Sequence, residues 1–326
     1  MNKRLLSGMR PTGPLHMGHL LGALNNWIQL QKKYDCYFMV ADWHALMSEY
    51  ASPGSLKEYI YDMVADWIAS GIDPEKSTIF LQSDVNEHLQ LHMILSNIVP
   101  LSWLERCPTY KEQLREVKGR DLTTYSFLGY PVLQAADILL YKAAVVPIGM
   151  DQLPHLELTR EILRKFNNMY KNVFPEPEGL LTKVPKLLGL DNRKMSKSYQ
   201  NFIALGDNPD VILKKVTSMI TDPARIKLSD KGNPDVCNVF SYYSIFQSEA
   251  CSELKQACKN ALKGCTECKK VLAEVIIEYL KPYRDKRKEL LKDKAQIDKI
   301  LANGSKKASL IASETMQEVF KAMSLR

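Results

Sequence analysis

Short unbroken apolar runs alternate with longer stretches of helical period through the first half of the chain. Leu5–Met9 ("LLSGM"), Cys36–Trp43 ("CYFMVADW"), Ser77–Ser83 ("STIFLQS") and Ala144–Gly149 ("AVVPIG") read as strands. Between them the stretches "HLLGALNNWIQLQKKY", Leu56–Ser70, the segment running to Glu116 and "HLELTREILRKF" read as helices. Strands that are apolar throughout, each followed by a helix, predict a parallel α/β sheet buried on both faces. Ligands of such sheets sit at the carboxyl ends of the strands. The loops after Met9, Ala41 and Ile148 are therefore the places to look for chemistry. The "FPEPEG" stretch (Phe174–Gly179) reads as a loop, and from about Leu205 no strand is expected. There Val211–Met219, Glu253–Leu262, Lys269–Leu280, Arg284–Leu301 and Lys307–Met323 read as helices. This divides the 326 residues into an α/β domain, 1–207, and an all-α domain, 208–326, whose last helix packs back on the first domain.

Composition changes this picture little. Hydrophobic residues at 45% and charged residues at 25% are ordinary for a globular protein. No apolar run is long enough to span a bilayer, and "MNKRLLSGM" lacks the features of a signal or transit peptide. A cytoplasmic location and no membrane partner follow as expectations. The formal charge of +7 leans towards a polyanionic partner. Ten Lys and Arg against four Asp and Glu between Lys281 and Lys307 add a candidate phosphate-contacting face.

Chemistry enters with "PTGPLHMGHLLG". Pro11, Gly13 and Pro14 keep the chain irregular until a helix starts near Leu15. Free N–H groups at a helix N-terminus suit phosphate. His16 and His19 share a face and can donate to phosphate oxygens, while Gly18 lets a planar ligand approach the backbone. Farther on, "RKMSKS" (Arg193–Ser198) gathers three cations around two serines.

The pair of motifs, His-x-Gly-His after the first strand and Lys-Met-Ser-Lys-Ser after the sheet, resembles the nucleotide-binding motifs of class I aminoacyl-tRNA synthetases. The resemblance implies a Rossmann-like catalytic domain that binds ATP with Mg²⁺. It implies that Arg10, Thr12, Gly18, His19, Lys194, Met195, Ser196, Lys197 and Ser198 form the ATP site. His16, His19, Lys194, Ser196 and Lys197 would stabilise charge building on the phosphates as an amino-acid carboxylate attacks the α-phosphorus.

"GYPVLQAADILLY" (Gly129–Tyr141) places Tyr130, Gln134, Asp137 and Tyr141 on one helical stripe. Asp137 stands among apolar neighbours, so its carboxylate needs a donor. A structural partner or a substrate can supply it. The segment, with "VPIGMDQLPHLELTRE", is similar to the amino-acid pocket of the tryptophanyl and tyrosyl members of that class. The resemblance implies that Asp137 accepts an indole N–H or a phenol O–H. Tyr130 and Gln152 would fix the amino-acid backbone, with Gln134 nearby, Val146 and Ile148 lining an apolar slot, and His44 beside it. Tyrosine enzymes of the archaeal type carry a tyrosine where this chain has Leu6, and an apolar residue suits an indole with its single donor.

Taken end to end ("SGMRPTG", "ADWHAL", "GIDPEKS", "PTYKE", "AADILLY", "ELTRE", "ITDPAR"), the chain is similar to bacterial tryptophanyl-tRNA synthetases. That implies L-tryptophan, ATP and tRNA(Trp) as partners, and a homodimer. Arg10 stands where one bacterial branch has glutamine, and Met150 where the pattern has glutamate. A tyrosyl enzyme and a catalytically inactive RNA-binding relative are the alternatives.

Five of the seven cysteines fall between Cys237 and Cys268, with no secretory signal. Crowding of this kind favours a metal over a disulfide framework. Cys265-x-x-Cys268 is a clip used by both zinc and iron–sulfur sites. Some tryptophanyl-tRNA synthetases carry a [4Fe–4S] cluster with similar spacing. By that resemblance Cys237, Cys258, Cys265 and Cys268 are the ligands, with zinc the less favoured occupant and Cys251 left for packing. His88 and His92, four apart on a helix, are read as a solvated face.

Overall fold

The computed structural model describes residues 3–116, 121–181, 187–197 and 199–325. Five strands form one parallel sheet: β1 (Arg4–Met9), β2 (Asp35–Val40), β3 (Ser77–Leu81), β4 (Val145–Ile148) and β5 (Glu178–Leu181). Their order is β3-β2-β1-β4-β5. β1 pairs with β2 from Arg4↔Asp35 to Met9↔Val40, and β4 pairs with β5 from Val145↔Glu178 to Ile148↔Leu181. Strand order reverses at β1, so a crevice opens beyond its carboxyl end, where ligands of doubly wound sheets bind.

The helices used below are α1 (Asp42–Glu49), α2 (Leu56–Ser70), α3 (Glu87–Ser96), α4 (Pro108–Glu116), α5 (Tyr125–Leu140), α6 (Leu153–Met169), α7 (Pro209–Thr217), α8 (Asn238–Phe246), α9 (Cys251–Lys259), α10 (Cys265–Lys292) and α11 (Lys294–Ala322). Three differences from the sequence reading have physical causes. The second strand stops at Val40, because Ala41 donates its N–H to Met9 O and accepts that of Ala45, which starts α1. β5 begins inside the "FPEPEG" stretch. Its prolines precede the strand, and Glu178 N–H donates to Ala144 O at 2.9 Å. As a half-exposed edge strand it lacks the apolar run that marks its neighbours. Finally, the last two helices part at Asp293, and "ANGSK" (302–306) lies inside α11. Asn-Gly-Ser reads as a turn. Here Gly304 is needed for packing, since a Cβ on it would lie 1.7 Å from Ile79 O of β3.

Two compact units result. Unit 1 comprises Met1–Thr12, Asn25–Lys183 and Asp293–Arg326. Its core joins the sheet to α3, α5, α6 and α11, with Leu6, Phe80, Leu91, Leu139, Phe166 and Ala308 all buried. Unit 2 comprises Gly13–Leu24 and Val184–Lys292. In it α7 and α8 pack on α10. The segment from Gly13 joins it through a bridge of His16 to Ala204, with Met17 N–H donating to Ile203 O and Leu205 N–H to Leu15 O. These units cut the chain at places other than residue 207. Among the described residues no helix is long and apolar enough to cross a membrane.

Candidate active site

A cavity of about 290 Å³ opens in unit 1 beyond the carboxyl ends of β1, β2 and β4. That size suits a small organic ligand. Leu6, His44, Tyr130 and Gln134 line it, as do Asp137, Val146, Ile148 and Gln152. All eight residues singled out for an amino-acid pocket are thus brought together. Arg10 lines it too. Sequence reasoning missed Met39, Met47, Gln113 and His155 in the same wall. Of these His155 carries chemistry. It is 3% exposed, its Nε2 lies 2.9 Å from the Tyr130 hydroxyl, and its Nδ1 lies 3.7 Å from Cys107 Sγ. Burial, and then the charge of His44, lower its pKa to about 4, so it is neutral at pH 7. Its only signal was its place in "MDQLPHLELTRE", where helical period alone explains it.

Asp137 is 2% exposed on α5 and accepts three hydrogen bonds. Gln82 Nε2 donates to Oδ1 at 2.8 Å, His88 Nδ1 to Oδ1 at 2.6 Å, and His44 Nε2 to Oδ2 at 2.8 Å. Burial would push the carboxyl up, but the donors of His44 and His88 overcome it and hold the group ionised below the usual carboxylate range. The expected donors exist, and they are protein groups. His88 overturns its reading as a solvated residue. It is fully buried, because α3 turns it towards α5. Its Nε2 lies 2.8 Å from the Tyr141 hydroxyl. Tyr141 shares the stripe of Asp137 yet points to His88, away from the cavity.

Unit 2 holds both nucleotide-type motifs. His16 caps the short helix Met17–His19, and His19 Nδ1 accepts the His16 backbone N–H at 3.2 Å. Burial, then Lys197, lowers the His16 pKa to about 4. Burial, then His16 and Lys197, holds that of His19 well below its ordinary value. Both imidazoles are neutral at pH 7, and the His19 proton sits on Nε2, aimed away from its own backbone. His16 Nδ1 is buried with no hydrogen-bond partner among the described residues. Gly18 is needed for close approach, since a Cβ there would lie 3.0 Å from the His16 ring and 3.4 Å from Met195 Sδ.

Lys197 Nζ donates to Gly13 O at 2.9 Å, which ties the second motif to the first. Asn201, which the sequence reading passed over, braces the loop. Its Oδ1 accepts Ser196 N–H at 2.9 Å, and its Nδ2 donates to Asp191 at 2.7 Å and to Lys194 O at 3.1 Å. Lys194 is exposed, and Met195 is buried. Thr12 closes a turn on Arg10 O in unit 1. Ser198 lies outside the described residues.

The four cysteines fall in one neighbourhood of unit 2. Arg225 reaches Cys258 and Cys265 Sγ at 3.9 Å each. Burial first, and then the neighbouring thiols, raise the pKa of Cys237 and push that of Cys268 up to about 11. Cys251, the first residue of α9, donates to Gln247 O, just past the end of α8, at 3.5 Å. Among the described residues no three His, Cys, Asp or Glu side chains stand close enough to hold a metal ion.

Comparison with known proteins gives a consistent result. Residues 2–281 match the family described as tRNA synthetases class I (W and Y). The chain is 50% identical over 325 residues to the tryptophan–tRNA ligase of Thermotoga maritima, covering 99% of each. It is 40% identical to that of Aquifex aeolicus, over 99% of this chain and 100% of the other. Among solved structures it is similar to tryptophanyl-tRNA synthetase from Campylobacter jejuni complexed with ADP and tryptophan. That match has a TM-score of 0.91 and 35% identity, covering 99% and 100% of the two chains.

Proposed function

We infer the reaction of this chain from a plain premise: it belongs to the class I tRNA synthetases for tryptophan and tyrosine. It joins tryptophan to tRNA(Trp) in two steps. The carboxylate of tryptophan attacks the α-phosphorus of ATP, the bond to the β-phosphate breaks, and pyrophosphate leaves. A tRNA hydroxyl then displaces AMP from the tryptophanyl-adenylate. No enzyme-bound covalent intermediate is needed, so placement and electrostatics carry the catalysis. Bound with ATP, Mg²⁺ would neutralise part of the charge on the phosphates.

One observation carries the amino-acid assignment: a buried, ionised Asp137 in an apolar slot, with Leu6 facing the same cavity. An indole N–H pairs with that carboxylate. Phenylalanine forfeits that bond, although Asp137 keeps its three protein donors. Tyr130, held by His155, and Gln152 orient the amino-acid backbone. Val146 and Ile148 bury the ring. His16 and His19 offer neutral N–H donors to ATP, and the orphaned His16 Nδ1 supports a ligand there. Lys194 and Lys197 follow the pyrophosphate, on a loop that Asn201 keeps in shape. A tyrosyl enzyme and an inactive RNA-binding relative are not favoured. ATP–pyrophosphate exchange with tryptophan and tyrosine in parallel tests this. Exchange with tryptophan alone is expected, and exchange with tyrosine alone would overturn the assignment.

The helices that follow residue 207, apart from α11, which packs on the sheet of unit 1, act as the anticodon-reading domain, in a cytoplasmic homodimer. A cysteine-ligated [4Fe–4S] cluster on Cys237, Cys258, Cys265 and Cys268 rests on their spacing in the sequence alone, since the four sulfurs near Arg225 do not stand close enough to hold a metal ion. The cluster would brace the helices, since aminoacylation needs no redox step. Iron and acid-labile sulfide in anaerobically purified protein are expected near four of each per chain. Stoichiometric zinc would replace the cluster by a zinc site, and neither would remove the metal from the reading.

A further inference from the structure

Resting on the reading of the cavity as a tryptophan pocket, we propose that His88 and Gln82 are positioning residues. They saturate one oxygen of Asp137 so that the other is left to meet the substrate N–H. A carboxylate has two oxygens and about four acceptor positions. Oδ1 accepts from Gln82 Nε2 and His88 Nδ1, which fills both of its positions. Oδ2 accepts from His44 Nε2 alone among the described residues. One acceptor position remains, and it lies on the oxygen whose partner, His44, lines the cavity. Gln82 and His88 are both 0% exposed and do not line it. They hold Asp137 from behind.

Tyr141 extends the device. Burial keeps its hydroxyl protonated, so the O–H donates to His88 Nε2. That bond occupies Nε2 and leaves Nδ1 to donate, where Asp137 needs a proton. Tyr141 is itself locked, stacked on Tyr37 at 5.3 Å and edge-on to Phe80 at 5.4 Å. The selective oxygen is thus set by a chain of groups running from β3, through α3, to the end of α5. A single acceptor position matches a ligand with one donor in its ring. The titratable groups around Asp137 are His44 on α1, His88 and His92 on α3, and Tyr141 after α5, with Glu87 acting on Tyr141.

The experiment measures tryptophan KM, ATP KM and kcat by pyrophosphate exchange across pH, for wild type, His88→Leu, His88→Asn and Tyr141→Phe. His88→Leu removes a donor from a buried carboxylate and should raise tryptophan KM about tenfold or more. ATP KM should not change. The acid limb of kcat/KM for tryptophan should move to higher pH, because a carboxylate that loses a donor protonates more easily. His88→Asn keeps an N–H near the Nδ1 position and should restore both quantities to within about threefold. Tyr141→Phe should fall between. Equal damage in His88→Asn and His88→Leu, or an unmoved acid limb in His88→Leu, would overturn the proposal. If His88→Leu fails to fold, Tyr141→Phe decides, and unchanged tryptophan KM and acid limb in that variant overturn it. Wild type is measured alongside. If it is active with tyrosine in place of tryptophan, the pocket reading itself fails, whereas the variant results bear only on how Asp137 is held.

Discussion

A buried imidazole stabilises the fold only while it is neutral, and this chain buries several. The pKa values of His16 and His155 are lowered to about 4, by burial first and then by Lys197 and His44 respectively. An unfolded histidine titrates near 6.5. As pH falls below that value the unfolded chain takes up protons that the native chain refuses until about pH 4. Stability present above pH 6.5 is therefore lost between 6.5 and 4. Each site costs about 2 kcal/mol at pH 5. Asp137, whose pKa is also lowered, loses stability in the same direction but only at lower pH, so it does not alter this window. Urea unfolding at pH 7 and pH 5 should show a lower free energy at pH 5, with a smaller difference in His155→Gln. Coincident curves would mean that these rings are not neutral in the native state. The stripe that carries Asp137 could be read from helical period. The residues that hold it could not, because Gln82, His88 and His155 reach it only through tertiary packing.

Helix α11 shows what a single element demands of one position. It crosses β3 so closely that Gly304 has no room for a methyl group. Ser305 donates from the next position to Asp84 at 2.9 Å. Gly304→Ala usually strengthens a helix by about 1 kcal/mol. Here backbone would have to move, and overpacking should win by about 3 kcal/mol or more. Thermal unfolding checks this, and a raised midpoint would refute the close approach. The same residue explains a misreading: local turn chemistry and helix packing make opposite demands on Asn-Gly-Ser, and packing decides. β1 to β4 were legible because strands buried on both faces are apolar throughout. β5 was not, because an edge strand needs only its backbone.

On the function proposed above, the residues that recognise the amino acid and most of those that handle the phosphates fall in different units. The cavity with Asp137 lies within unit 1, and the histidine and lysine motifs lie within unit 2. Lys197→Ala should lower the rate of pyrophosphate exchange about 100-fold or more. Tryptophan binding without ATP, measured by calorimetry, should stay within about twofold. Loss of both together would argue against the division. The motifs themselves were plain in the sequence, since each is local, but their mutual contact through Lys197 and Gly13 spans 184 residues and leaves no local mark. The packing of α11 on β3 also bears on how the chain is made. Leu81 and Ser305, which face each other there, are 224 residues apart. At ribosomal speeds of about 5–20 residues per second, β3 emerges roughly 10–45 seconds before its cover. During that interval the nascent sheet carries a bare flank where α11 will pack. A message broken before codon 294 would leave that flank bare for good.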